Sequence, residues 1–200
     1  MITYNTDGVA MPKLKKRIIN RWIKQVAATY GRKVGDIGYM FVDDAKILQV
    51  NNEYLGHDYY TDIITFDYDE DNIVSGDLVI SIDTVKSNAE LFGKEYEDEL
   101  HRVIIHGILH LCGINDKGPG EREIMEANEN KALAMLKALE EKQYFCLNEV
   151  SVCAVACHLI IQHNQALKTK NMRPSTGRIF FIMSIMLLFQ KFLVMQPKSS

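Results

Sequence analysis

The run YEDELHRVIIHGILHLCG, Tyr96 to Gly113, constrains this chain more than any other, because its apolar residues recur at helical spacing from Leu100 to Leu111 and stop at a glycine. Residues four apart on a helix lie one turn up on the same face, so His106 and His110 can present two imidazoles to one ion. Gly113 falls where the helix must end and reverse, which can bring Asp116 back over the same point. Two nitrogens and one carboxylate oxygen suit a single zinc ion, Zn2+, and leave the fourth position open, as in catalytic rather than structural sites. Paired histidines at this spacing also occur with no ligand role; the glycine and the aspartate are what favour a metal.

The flanking segments supply a mixed architecture. MPKLKKRIINRWIKQVAATYG predicts an amphipathic helix with Leu14, Ile18, Ile19, Trp22, Ile23, Val26 and Ala27 on its apolar stripe and a basic outer face. IGYMFV reads as a strand, and DDAKILQVNNEYLG as a helix opened by Asp43 or Asp44 and closed near Gly56. DIITFDY and GDLVISI read as two further strands, separated by the acidic turn DEDN. DTVKSNAELFG and PGEREIMEANENKALAMLKALEEK have helical period, the latter with Glu121 and Glu123 in its first turn, where a carboxylate suits the dipole. The irregular alternation predicts an α+β fold, a mixed β-sheet packed with helices, one of them carrying the metal-binding pair, over a domain of residues 1–142.

Charge is unevenly spread. Residues 1–35 hold eight basic and one acidic side chain, whereas residues 36–142 hold nine and 24. Lys15, Lys16, Arg17, Arg21 and Lys24 could thus form an RNA-binding strip, although a solvated helix face looks the same. Four cysteines in 200 residues are no disulfide framework, and the N-terminus has no secretory h-region, so a reducing cytoplasm is the expected compartment.

HGILHLCG, His106 to Gly113, matches position for position the opening of His-Gly-x-Leu-His-Leu-x-Gly-x-Asp-His, the motif of the YbeY family of endoribonucleases and rRNA maturation factors. NNEYLGHDYYTDIITF is similar to that family's Asn-x-x-Tyr-Arg-x-Lys-Asp-x-x-Thr-Asp-Val-Leu-Ser-Phe segment, and GDLVIS to its Gly-Asp-Ile-x-Ile-Ser strand. The resemblance covers residues 1–142 in matching order. It implies a single-strand-specific, metal-dependent endoribonuclease that matures the 3′ end of small-subunit (16S) rRNA and serves ribosome quality control. The implied partners are single-stranded rRNA and the small ribosomal subunit, with no DNA. The chain departs from these motifs: the family's Asp and last His are Asn115 and Asp116 here, Leu55 stands where the family has its arginine, and His57 stands in place of its Lys.

Arg102 lies one turn before His106 on the same face and could replace the missing guanidinium, with His57 beside it near the scissile phosphate. Thr61, Asp62 and Asp77 could orient the histidines, or could simply be turn residues at strand entrances. A zinc peptidase would carry a glutamate where this chain has Gly107, so phosphodiester chemistry is favoured over peptide hydrolysis. The alternative from another class is a non-catalytic ribosome-associated RNA-binding factor that retains the metal site.

Residues 143–200 fall outside the resemblance and form an apolar, basic extension of unknown role. Within it, Cys153, Cys157, His158 and His163 match no common zinc spacing. Ile179 to Met195 would span about 26 Å as a helix, short of a bilayer core of roughly 30 Å, so a membrane contact is not expected, though the tail leaves one open.

Overall fold

In the computed structural model the chain divides between Gln143 and Tyr144, and the structure describes residues 1–56 and 58–143. The first apolar stripe becomes helix α1, Lys16–Thr29, which buries Ile19, Trp22, Ile23, Val26 and Ala27 as its helical spacing dictates. It follows a strand the periodicity did not announce, β1 (Ile2–Thr6), and leads into β2 (Lys33–Val42). β1 and β2 run parallel, Ile2 opposite Ile37, and a parallel pair needs a crossover, which α1 provides.

Helix α2 (Asp44–Leu55) begins where the Asp43 side chain accepts the Lys46 N–H at 2.8 Å and ends at Gly56 in the left-handed region. β3 (Ile63–Asp67) and β4 (Ile73–Ser81) form an antiparallel hairpin, and β4 also pairs parallel with β2. The four-stranded mixed sheet therefore has the order β1-β2-β4-β3, with β3 at one edge. Arg32 grips Asp69, whose other oxygen accepts the Ser75 N–H at 2.7 Å, fixing the hairpin to the start of β2.

Helices α3 (Ile82–Leu91) and α4 (Tyr96–Leu111) follow, and residues 121–143 form α5. One face of the sheet carries the main core, in which Tyr39, Phe41, Val74, Leu78 and Ile80 meet the apolar faces of α1, α4 and α5. The other face packs a smaller cluster, Val42, Ile47 and Ile64, under α2. Trp22 ties two helices together: its indole N–H donates to the Ala132 carbonyl at 2.6 Å. Buried His101 stands edge-on to the same indole, at 6.1 Å, and burial holds its pKa below the ordinary histidine value.

The α+β architecture and the placement of both histidines on α4 follow the sequence reading. No helix among the described residues is long and apolar enough to cross a membrane. His57, the cysteine and histidine group of the tail, and Ile179 to Met195 lie outside the described residues.

Candidate metal centre and its cleft

Helix α4 ends because Gly113 adopts φ 90°, a left-handed backbone that a side chain would strain. The Gly113 N–H donates to the His110 carbonyl at 2.8 Å, and the Ile114 N–H to the Leu109 carbonyl at 3.0 Å, closing the last turn. The reversed chain sets the Ile114 carbonyl 2.9 Å from His110 Nδ1. It also carries Asp116 Oδ2 to 3.6 Å from His106 Nε2 and 3.7 Å from His110 Nε2. The two Nε2 atoms are 2.9 Å apart.

The outer neighbours of the two rings decide which nitrogens point inward as lone pairs. Glu129 Oε1 lies 2.8 Å from His106 Nδ1, and Glu129 is held ionised: burial opposes this, but its hydrogen bonds to His106 and Arg102 lower its pKa overall. Neither that carboxylate nor the Ile114 carbonyl has a proton to give, so each Nδ1 carries the hydrogen and each Nε2 turns its lone pair inward. Three electron-pair donors thus converge, an arrangement that needs a proton or a cation among them.

Burial by itself would lower the His106 pKa, but the hydrogen bond and charge of Glu129, with Asp62 and Asp116, raise it overall. Burial and the neighbouring His106 push His110 the other way. A tetrahedral zinc with bonds of about 2.0–2.1 Å holds its donor atoms about 3.3 Å apart. The separations of 2.9, 3.6 and 3.7 Å bracket that distance, so the donor set of His106, His110 and Asp116 could hold one metal ion.

The centre opens into a cleft of about 670 Å³ bordered by β3, the end of α4 and the reversed loop. Thr61 and Asp62 both line it, as do Asp67 and Glu121. Thr61 Oγ1 donates to the Ile63 carbonyl at 3.1 Å, and the Nδ1 partners of the histidines are Glu129 and Ile114 instead. Lys117 is the one lysine or arginine among the described lining residues.

Two of the expected residues stand apart from the cleft. Asp77 lies elsewhere: Val74, Leu78 and Ile80 turn into the main core, so the alternation of β4 sends Asp77 to the opposite face, into a separate hollow of about 450 Å³ with Tyr54 and Phe66. Arg102 shares the face of His106, yet its guanidinium does not line the cleft. Its Nη1 donates to Glu129 Oε2 at 2.7 Å and its Nη2 to Asn130 Oδ1 at 3.0 Å, so its hydrogen bonds are turned toward α5.

Lys15, Lys16, Arg17, Arg21 and Lys24 are all exposed, and none lines the cleft. Lys15 pairs with Glu140 at 2.8 Å, and Lys16 lies 5.2 Å from the centre of the Tyr4 ring. Any polyanion they meet would be held on the α1 surface, apart from the metal centre.

Glu129 escaped the sequence reading, although a signal was present. It stands four residues after Met125 and three before Ala132, on the stripe that α5 buries with Leu136 and Leu139. A carboxylate on a buried stripe calls for a partner.

Comparison with known proteins adds what geometry alone does not. Residues 2–137 match the family model described as Endoribonuclease YbeY. Endoribonuclease YbeY of Bacteroides thetaiotaomicron is 69% identical over 134 residues, covering 67% of this chain and 98% of that protein. Endoribonuclease YbeY of Porphyromonas gingivalis is 55% identical over 136 residues, covering 68% and 90%. The solution structure of a Thermotoga maritima protein superposes with a TM-score of 0.51 at 25% identity, covering 72% of this chain and 93% of that one.

Proposed function

This chain belongs to the endoribonuclease YbeY family, and from that premise we propose that it is a single-strand-specific, zinc-dependent endoribonuclease maturing the 3′ end of small-subunit rRNA, with a part in ribosome quality control. It is a hydrolase of RNA phosphodiesters. The observation that carries the zinc reading is the convergence of His106 Nε2, His110 Nε2 and Asp116 Oδ2 at one wall of an open cleft. When bound there, zinc supplies Lewis acidity toward a phosphoryl oxygen and a water. The nuclease domain in this reading is residues 1–142, working in the cytoplasm on the small ribosomal subunit.

The chain's own side chains do the rest. His106 and His110 hold their lone pairs inward because Glu129 and the Ile114 carbonyl fix their outer nitrogens. Lys117 offers the cleft a positive charge against the phosphate, in a chain that carries Leu55 in place of the family arginine and whose Arg102 is bonded to Glu129. Asp62 and Asp67, which line the same cleft, would take a proton from a water. The exposed basic face of α1, from Lys15 to Lys24, holds the rRNA outside the cleft.

The test uses the full chain on three substrates of one sequence: single-stranded RNA, the RNA duplex and single-stranded DNA. Cleavage of the first alone is expected. Equal cleavage of the duplex would overturn strand specificity, and binding of rRNA with no cleavage at all would leave the non-catalytic ribosome-associated factor as the correct reading.

A further inference from the structure

Every strong hydrogen bond of the Glu129 carboxylate goes to a residue of α4. Oε1 meets His106 Nδ1 at 2.8 Å, and Oε2 accepts from Arg102 Nη1 at 2.7 Å. Arg102 is fixed in turn, its Nη2 donating to Asn130 Oδ1 at 3.0 Å. Glu129 is 7% exposed, so its charge sits on the buried side of α5, where an apolar residue would pack at no electrostatic cost.

We propose that Glu129 is a positioning residue, held in place by Arg102, that fixes the tautomer and ring orientation of His106 so that Nε2 is the nitrogen offered to the metal. The carboxylate has two oxygens and two donors to satisfy, one from each residue, so the guanidinium on Oε2 helps fix the plane in which Oε1 meets the imidazole. An acceptor at Nδ1 forces the hydrogen onto Nδ1 and leaves Nε2 bare. With no acceptor there, the ring is free to carry its hydrogen on Nε2, which cannot then bind a metal. Arg102 acts one step further out. Its bonds to Glu129 and Asn130 keep the carboxylate from turning away, which accounts for a guanidinium on the His106 face that never reaches the cleft.

The competing explanation is that Arg102 and Glu129 merely clamp α4 to α5. An apolar replacement separates the two, since a buried ion pair exchanged for well-packed apolar side chains often leaves stability intact. The variants are Glu129→Gln and the double Arg102→Met, Glu129→Leu, made in the full chain. Two readouts are needed, and neither is activity: zinc affinity by competition with a chromophoric chelator, and the His106 tautomer by long-range nitrogen–proton correlation NMR on metal-free protein at a pH high enough that the ring is neutral.

This inference rests on the metal reading for its first readout but not for its second. The expected result is a double variant that melts near the wild type yet binds zinc about 10–100-fold more weakly, with the Nε2–H tautomer of His106 appearing in its spectrum. Glu129→Gln should show the same tautomer change, because an NH2 donor replaces one of the two acceptor oxygens, and with the remaining oxygen on Arg102 it is that donor which faces His106. A folded double variant with wild-type affinity and an unchanged Nδ1–H signal would overturn the inference. Wild-type protein that binds no zinc would sink the metal reading alone, and the tautomer would still decide this one.

Discussion

A His110→Ala protein is expected to lose its bound zinc and at least about 100-fold of its cleavage rate, since even an outer partner of a metal ligand is worth 10–100-fold. The expectation follows from geometry: with His110 gone, His106 and Asp116 are two donors 3.6 Å apart, and two protein ligands hold a divalent ion poorly. The fold should survive. His110 is about a quarter exposed, and its outer bond is to a carbonyl in the turn just beyond its own helix, so removing the ring opens the cleft wall and leaves the core alone. The checks are metal content by mass spectrometry and initial rates on a single-stranded RNA, beside a thermal melt. A variant that kept its zinc and rate would move the centre away from α4.

Gly107→Glu is expected to unfold the protein. That substitution would complete the His-Glu-x-x-His pattern of zinc peptidases on α4, and if position 107 faced the cleft it would install a general base. It does not face the cleft. A Cβ at Gly107 would lie 2.1 Å from Leu78 Cδ2 and 2.7 Å from Ile63 Cδ1, because this turn of the helix rides directly on β3 and β4. Leu78 is fully buried and has little room to swing aside. Overpacking of this kind costs about 1–3 kcal/mol, and a carboxylate driven into the same space adds several more. The sum approaches the whole stability of a domain this size, about 5–15 kcal/mol. Denaturant melts of Gly107→Ala and Gly107→Glu should therefore fall in series, the first lowered by about 1–3 kcal/mol and the second not cooperatively folded. A well-folded Gly107→Glu protein that digested casein would contradict both the packing and the choice of RNA over peptide.

What was legible in the sequence divides along the range of the interactions. The α1 stripe, the Asp43 start and Gly56 stop of α2, and the two strands of the hairpin are local patterns, and the structure keeps them. β1 was missed because its hydrogen bonds reach across 35 residues to β2, and a five-residue strand at the chain start carries little periodicity of its own. The face of Asp77 was readable: in VSGDLVIS it alternates out of step with the core-facing Val74, Leu78 and Ile80, so its parity alone assigns it to the far face.

Arg102 shows the limit of helical-face reasoning. Its spacing from His106 placed it on the correct face, but what stood opposite depended on α5, 27 residues further along the chain. The donor triad itself was legible because a helix fixes two donors by spacing and a glycine fixes the third by reversal, all within His106 to Asp116. The partner that orients it, Glu129, arrives through tertiary packing and showed only as a carboxylate on a buried stripe.

The most direct measurement is a zinc titration of metal-stripped full-length protein, following the initial rate on a single-stranded fragment from the 3′ end of small-subunit rRNA. One ion held by His106, His110 and Asp116 predicts no cleavage without zinc and a linear rise that breaks at one equivalent. Full-rate cleavage by the stripped protein, or a break at two equivalents, would contradict a single catalytic zinc at the end of α4.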